Sequence, residues 1–181
     1  DIRAYRGHRK EIAAEAYQGA GDKLFTGSLD DIAQIWSIAS GVSPLKTLAL
    51  SGSGATASSV SPDGKRMALV MGTGATAKLR IYDTDKLDTS GTGAPDLEAA
   101  LSTAGVHWGG TFKSMALDDT HERLLITSTG GGFAQVAAFS AANGAFLRTW
   151  GPSGQFSAKS AARPRIASRD NRVFYMTKNG M

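Results

Sequence analysis

The segment Leu24–Trp36 constrains the fold of this chain more than any other stretch of its 181 residues. It reads Leu-Phe-Thr-Gly-Ser-Leu-Asp-Asp-Ile-Ala-Gln-Ile-Trp, an apolar run, a Gly-Ser-x-Asp corner and a second run that ends in an aromatic. Two short runs of this kind, joined by a tight polar corner, predict a β-hairpin. His8, which follows Gly7, precedes Trp36 by 28 residues.

Composition fits a chain of many short strands and excludes several kinds of site. Glycine occurs 22 times and is scattered, as expected where many turns are needed. Cysteine is absent, which excludes disulfides, thiolate zinc sites and a cysteine nucleophile. No apolar run approaches the ~20 residues of a membrane-spanning helix, so we expect no membrane insertion. The chain begins at Asp1 without a Met or a basic-then-apolar leader, and we expect a boundary there, not a gene start.

The same arrangement of short runs recurs along the chain. In each unit, one short run is followed by a polar turn and then by further short runs. The turns contain Asp22, Asp63, Thr120 and Asp170. These residues are spaced by 41, 57 and 50 positions. Such spacing is typical of a repeated four-stranded unit of ~40–50 residues.

Aromatic residues mark equivalent places in the first three units. Trp36, Tyr82 and Phe139 end or nearly end the third run of each unit. Fourth runs follow at Leu45–Leu50 and Ala145–Trp150. The pattern therefore predicts third strands followed by a turn and an outer fourth strand.

The first unit resembles a blade of the WD-repeat family. The residues that carry this resemblance are His8, Ser28, Asp30 and Trp36. In that family these positions form a structural hydrogen-bonded relay from a loop to a strand, and here Thr26 or Ser28 is expected to supply the hydroxyl. The usual Trp-Asp pair is Trp36-Ser37 in this chain, a minor departure.

Later units resemble the family less closely. The second keeps Ser61-Pro-Asp-Gly64 and Ile81-Tyr-Asp83 but has no Gly-His pair. From Gly144 to Phe174 the pattern is similar to an NHL repeat instead. The resemblance implies a propeller, with NHL-like features in the C-terminal third.

The expected fold class is all-β, a β-propeller of four-stranded antiparallel blades with about three full and two partial blades. We place blades at 7–50, 51–111 and 112–150, and an incomplete one at 151–181. An insertion is expected at 88–110, with a helical turn at Asp96–Leu101. Ile2–Arg6 is expected to be the fourth strand of an earlier blade.

So few blades do not close a ring, because propellers close with roughly four to eight. An open arc would leave strand edges exposed, which natural proteins avoid. We therefore expect the chain to be part of a larger propeller or an arc covered by neighbouring subunits.

No motif identifies a reaction or a bound group. Gly52–Ala57 matches a dinucleotide fingerprint superficially, but Ser58–Pro62 is a poor helix, and a helix N-terminus is what would hold a pyrophosphate. The three histidines are far apart in sequence, and the acidic pairs at 30–31 and 118–119 suit strand corners. We expect no catalytic, metal or cofactor site and identify no small-molecule substrate.

Charge is distributed unevenly. Residues 148–181 carry seven Lys or Arg and one Asp, a net charge of +6 within a chain total of +4. The residues singled out as a partner or RNA contact are Arg148, Arg163, Arg165, Arg169 and Arg172. Basic loops of this kind bind RNA phosphates or acidic protein segments.

Two functions of different classes follow from these observations. The first is a non-enzymatic protein–protein interaction scaffold, with other protein subunits as partners. The alternative is an RNA-binding propeller that uses the basic C-terminal face. A channel-centred enzyme is a third and weaker hypothesis, since no residue can be assigned to it.

Overall fold

A computed structural model describes residues 5–18, 21–39, 43–51, 54–87, 93–101, 111–118, 122–130, 133–150, 166–169 and 172–175. Within these ranges the chain forms β-strands and a single 3₁₀ turn, Gly74–Thr76. Three four-stranded antiparallel sheets and a two-stranded hairpin follow one another in sequence. The all-β fold predicted from the short alternating runs is confirmed.

Sheet 1 contains the hairpin that the Leu24–Trp36 segment predicts. Its strands are β1 (Ile12–Tyr17), β2 (Lys23–Ser28), β3 (Ile32–Ser37) and β4 (Pro44–Ala49), in that order. Leu24 pairs with Trp36 across β2 and β3. The polar corner between these strands places the side chain of Asp30 beside His8 and Arg9.

Sheet 2 has the same order of strands. They are β5 (Ala55–Val60), β6 (Arg66–Met71), β7 (Lys78–Asp83) and β8 (Leu97–Ala100). Gly64 has φ = +73° in the turn between β5 and β6, where its N–H donates to the Ser61 carbonyl at 2.9 Å. Glycine adopts this left-handed conformation without steric cost, which is why the Pro-Asp-Gly corner forms there.

The helical turn predicted at Asp96–Leu101 is wrong, because Leu97–Ala100 forms β8. Its backbone pairs with β7, and Glu98 lies opposite Arg80, whose Nε is 2.7 Å from a carboxylate oxygen. Pairing with a formed strand overrides the local helix propensity of Leu-Glu-Ala-Ala. The predicted insertion at 88–110 thus contains the fourth strand of sheet 2, and residues 88–92 and 102–110 lie outside the described ranges.

Sheet 3 repeats the arrangement a third time. Its strands are β9 (Thr111–Asp118), β10 (Arg123–Gly130), β11 (Phe133–Ser140) and β12 (Phe146–Trp150). A hairpin of β13 (Ile166–Arg169) and β14 (Arg172–Tyr175) follows. These two strands agree with the start of a fourth blade.

The sheets are placed side by side through their first strands. β1 contacts β5, β5 contacts β9, and β9 contacts β13. Sheet 2 is buried on both faces: Met67 and Leu69 of β6 pack toward sheet 1, whereas Ala68 and Val70 pack toward sheet 3. Successive side chains on a strand point to opposite faces, so a nearly continuous apolar strand is what this position requires.

The strand predicted at Ile2–Arg6 is wrong at Tyr5 and Arg6, which lie outside any strand. Residues 2–4 lie outside the described ranges. Tyr5 instead packs edge-on against Trp36, with ring centroids 5.5 Å apart. The Tyr5 hydroxyl donates to the Ile38 carbonyl at 3.4 Å, so Tyr5 contacts sheet 1 through its side chain.

Candidate functional site: a buried relay and an open sheet face

A chain of side-chain hydrogen bonds joins four residues of sheet 1 and the segment before it. The indole Nε1 of Trp36 lies 2.8 Å from the Thr26 hydroxyl oxygen, which lies 2.8 Å from Nε2 of His8. Nδ1 of His8 lies 3.2 and 3.3 Å from the two carboxylate oxygens of Asp30. The structure therefore brings His8, Asp30 and Trp36 together through Thr26.

The chemistry of the donors sets the direction of this relay. An indole N–H only donates, so the Thr26 oxygen accepts from Trp36. The Thr26 hydroxyl can then donate to Nε2 of His8. Nδ1 faces a carboxylate that accepts, and it therefore carries the proton. With the proton on Nδ1 and with Nε2 as the acceptor, each group of the relay has a hydrogen-bond partner.

Asp30 links the relay to the backbone on both sides of it. One carboxylate oxygen accepts the Arg9 N–H at 2.7 Å, and the other accepts the Ile32 N–H at 3.2 Å. Burial acts to raise the pKa of Asp30. Hydrogen bonds from the Arg9 amide and from His8 outweigh burial and hold this pKa below its ordinary value of 3.8. Asp30 thus acts as an ionised anchor for the segment that carries His8.

Ser28 stands beside the relay and does not supply its central hydroxyl, which comes from Thr26. The Ser28 Oγ donates to the Lys10 carbonyl and accepts the Asp30 N–H, both at 3.2 Å. These bonds fix the corner between β2 and β3 against the segment that enters β1. The sequence left either Thr26 or Ser28 as the source of the central hydroxyl. The two residues are two positions apart on β2, so their side chains lie on the same face of the strand.

The second feature is the face of sheet 1 that points away from sheet 2. Ile35 packs toward sheet 2, so its neighbours Gln34 and Trp36 point to the opposite face. Tyr17 pairs with Leu24, and Leu24 with Trp36, so these three side chains share that face. We call it the open face.

Only part of the open face is covered by the described residues. Tyr5 packs on Trp36, and the backbone of Gly7 lies so close that a Cβ there would be 2.9 Å from the indole ring. Trp36 is consequently buried, whereas Tyr17 is 57% exposed. Leu45, which alternates with the inward-facing Lys46 on β4, is 44% exposed. The open face therefore presents apolar surface on either side of the covered Trp36.

A buried amide on this face lacks a full set of partners. Gln34 is buried, and its Oε1 has no hydrogen-bond partner among the described residues. Its Nε2 reaches the Thr47 hydroxyl at only 3.5 Å. Gly7 covers this amide, since a Cβ there would lie 2.7 Å from Oε1, so the unpaired oxygen is buried at a cost in free energy.

The basic residues predicted as a contact are only partly described. Arg148 lies on β12 with its side chain exposed, opposite Ala138. Arg169 and Arg172 pair across the turn of the β13–β14 hairpin. Arg163 and Arg165 lie outside the described ranges, so a shared basic surface stays a prediction.

The other sequence motifs take structural places. Ala55–Val60 is a strand, so no helix follows the glycines of Gly52–Ala57 to hold a pyrophosphate. Asp118 forms an ion pair with Arg123 at 2.9 Å. Among the described residues, no group of three or more His, Cys, Asp and Glu side chains could hold a metal ion. In the same ranges, no helix has the length and apolar character needed to cross a membrane.

The likeness of this chain to known proteins lies in its structure. No protein-family model and no curated protein sequence matches the chain. The WD40 repeats of RRP9 match with a TM-score of 0.63 and 18% identity, over 85% of this chain and 42% of that one. U3-55K matches with a TM-score of 0.63 and 17% identity, over 85% of this chain and 43% of that one.

Two further solved structures show how widely the fold is shared. The computationally designed Ika4 protein matches with a TM-score of 0.63 and 17% identity, over 98% of this chain and 92% of that one. Kuenenia stuttgartiensis hydrazine synthase matches with a TM-score of 0.57 and 15% identity, over 77% of this chain and 36% of that one. Likeness at these identities concerns the fold and leaves function open.

The chain spans about four-tenths of the RRP9 and U3-55K structures that it matches. Its three successive four-stranded antiparallel sheets contact one another through their first strands, as the blades of a propeller do. The NHL-like features of the C-terminal third stay a prediction, since most of residues 151–181 lie outside the described ranges. This chain has the fold of part of a WD-repeat β-propeller.

Proposed function

We propose that this chain is a non-enzymatic protein–protein interaction scaffold, a propeller segment of a larger protein or of a multi-subunit assembly. Its partner on the open face is a further four-stranded sheet, supplied by additional blades or by another subunit. The proposal goes beyond the fold, because propellers with unrelated functions share it.

The observation that carries the proposal is the difference between sheet 1 and sheet 2. Both faces of sheet 2 are buried by neighbouring sheets, whereas the open face of sheet 1 has only the segment from Tyr5 to His8 against it in the described part of the chain. Tyr17 and Leu45 are left exposed there. Exposed apolar side chains at the end of a stack of sheets are typical of an interaction surface.

The buried relay supports the same conclusion. It fixes the segment before β1 across Trp36, which favours one arrangement of the covered part of the open face. A rigid surface loses little conformational entropy when a partner binds. The relay therefore acts on structure and contributes to binding through preorganisation.

Association in solution tests the proposal. We expect the 181-residue chain to self-associate or to bind added blades of its full-length protein, because the open face is apolar. Tyr17→Lys combined with Leu45→Lys should weaken this association roughly tenfold or more, since two charges would be buried. Sedimentation velocity over a concentration series measures the effect.

The matched control is Leu147→Lys, since Leu147 is 48% exposed on β12 and lies away from the open face. It should leave the association unchanged. A chain that stays a stable monomer at high concentration, with no response to added blades, contradicts the proposal.

RNA binding remains the alternative, and the exposed Arg148 and the net charge of residues 148–181 favour it. Binding to phosphates releases counterions from the RNA, and this release is less favourable at high salt. The affinity for RNA therefore falls steeply as salt is added. Apolar docking on the open face lacks this dependence, so a salt titration separates the two functions.

A further inference from the structure

The turn between β11 and β12 joins sheet 3 to sheet 2. The Arg66 guanidinium at the start of β6 donates to the Ala141 carbonyl at 2.8 Å. Gly144 packs against β8, since a Cβ on this residue would lie 2.5 Å from the Cβ of Ala99. Residues 140–145, which we call the joint turn, therefore make two contacts between the sheets.

Geometry and packing explain the sequence of the joint turn. Gly144 has φ = +72°, a left-handed conformation that glycine adopts without steric cost, and Ala99 leaves no room there for a side chain. Asn143 closes the turn through its own side chain, because its Oδ1 accepts the Ala145 N–H at 3.0 Å. An asparagine is consequently followed by a glycine at this contact between sheets.

One hydrogen bond protects this Asn-Gly pair in the folded chain. The Gly144 N–H donates to the Ser140 carbonyl at 2.9 Å. A nitrogen whose proton is held in a hydrogen bond is a poor nucleophile, and local opening of the turn must release it first. The side chain of Asn143 is exposed, so water reaches its amide. The turn therefore restrains the nitrogen but leaves the amide accessible.

We propose that Asn143 and Gly144 form a site of spontaneous deamidation, which reacts only when the hydrogen bond from Gly144 to Ser140 breaks. Its iso-aspartyl product loosens the contact between sheets 2 and 3. The only co-reactant is water. Such a modification needs no partner and is independent of the proposed scaffold function.

The reaction uses the main chain as its nucleophile. Asparagine is a thermolabile residue, and a following glycine has no side chain to shield its nitrogen. Hydroxide takes the proton of the Gly144 N–H, and the nitrogen attacks Cγ of Asn143. The bond from Cγ to the side-chain nitrogen breaks, ammonia leaves, and a cyclic imide forms. Water then opens the imide: addition at Cγ gives aspartate, and addition at the main-chain carbonyl carbon gives iso-aspartate.

The two products differ in their effect on the joint turn. Aspartate keeps the main chain and an oxygen that accepts the Ala145 N–H. Iso-aspartate adds a methylene group to the main chain, which displaces the residue that follows it. Gly144 has no spare room beside Ala99, and close-packed contacts absorb such a shift poorly. Iso-aspartate should therefore weaken the joint turn, whereas aspartate should not.

Deamidation rates in the folded and the unfolded chain test the protection. The intact chain is incubated at mildly alkaline pH in buffer and in concentrated urea, and each asparagine is followed by peptide mapping with mass spectrometry. In urea, Asn143 should react at a rate similar to that of Asn179, which also precedes a glycine. In buffer, Asn143 should react about tenfold or more slowly than in urea, because opening of the turn costs free energy.

Two results of this comparison would overturn the inference. Equal rates for Asn143 in buffer and in urea would show that the hydrogen bond to Ser140 does not restrain the reaction. Absence of reaction at Asn143 in urea, while Asn179 reacts, would show that the pair is not a deamidation site.

Asn143→Ser is the matched control for the effect on the sheets, because serine has no amide to lose and its hydroxyl can still close the turn. Both proteins are aged under the same conditions, so deamidation elsewhere occurs in each. Aged wild type should exchange the amide hydrogens of β8 and of the joint turn faster than aged Asn143→Ser, in proportion to its iso-aspartate content. Equal exchange in the two aged proteins would contradict the loosened contact.

Asn143→Asp separates the two products. It carries the charge of deamidation on an unaltered main chain, and it should exchange its amide hydrogens like fresh wild type. Faster exchange at β8 in this variant would assign the effect to charge and remove the role of iso-aspartate.

Discussion

The Thr26 hydroxyl oxygen lies 2.8 Å from both Nε1 of Trp36 and Nε2 of His8. One threonine thus joins a strand aromatic to a loop imidazole, and both bonds are made by a single buried oxygen. Because this oxygen serves two partners, a change at Thr26 should affect stability more than the loss of one ordinary hydrogen bond.

Replacing Thr26 tests this directly. Thr26→Val keeps the shape of the side chain but leaves the indole N–H and Nε2 of His8 without partners. We expect a loss of about 1–3 kcal/mol in the free energy of unfolding, measured by denaturant titration. Thr26→Ser retains the hydroxyl and should recover most of this loss. Equal stability of the two variants would contradict a hydrogen-bonding role.

Asp30 provides a second test of the relay. Asp30→Ala removes the acceptor for the Arg9 N–H and for Nδ1 of His8, and it leaves the buried imidazole without this partner. The expected cost is about 1–3 kcal/mol of unfolding free energy. Asp85→Ala is the control, because Asp85 is exposed, and its effect should stay within about 0.5 kcal/mol. Unchanged thermal stability of Asp30→Ala would falsify the relay.

The pH dependence of stability follows from the pKa of Asp30, which is below 3.8 in the folded chain. A folded pKa below the unfolded one means that the ionised carboxylate stabilises the fold above pH 3.8. This stabilisation is lost as the pH falls below 3.8 toward the folded pKa.

Asp30→Asn isolates this contribution, because other acidic groups titrate equally in both proteins. The difference in unfolding free energy between wild type and Asp30→Asn should be largest near neutral pH. It should shrink as the pH falls below about 4, toward the folded pKa of Asp30. Denaturant titrations at several pH values measure it, and a difference that does not change with pH speaks against an ionised Asp30.

The basic C-terminal residues give a fourth prediction. Replacing Arg163, Arg165, Arg169 and Arg172 with Ser should weaken binding to an acidic protein or to RNA. The loss should be greatest at low salt, because screening already weakens charge contacts at high salt. Binding measured across a salt series checks this. Normal binding of the four-site variant at low salt would remove these residues from the contact.

Much of the first sheet was predictable from local sequence. The strand Ile12–Tyr17, the corner before Asp30 and the strand that ends near Trp36 all have patterns set by alternation and turn chemistry. The meeting of His8 with Asp30 followed from the family resemblance, since the two residues are 22 positions apart. The sequence did not show which hydroxyl bridges Trp36 and His8, because Thr26 and Ser28 lie on the same face of one strand.

The second sheet shows why local sequence was insufficient. Leu97–Ala100 has a helix-favouring composition, and only pairing with β7 makes it a strand. The open face is a similar case. Nothing in the residues around Tyr17 distinguishes a covered face from an exposed one, since burial depends on which sheet lies alongside.

The sequence by itself determined the β class, the repeat and the places of the turns, because these depend on alternation and on residues such as Asp63-Gly64 with fixed backbone preferences. The tertiary structure decided which strands are outer edges, which faces stay open and which hydroxyl completes the relay. These properties arise from contacts between residues far apart in the chain. Local sequence patterns do not predict such contacts, because they form only when whole sheets pack together.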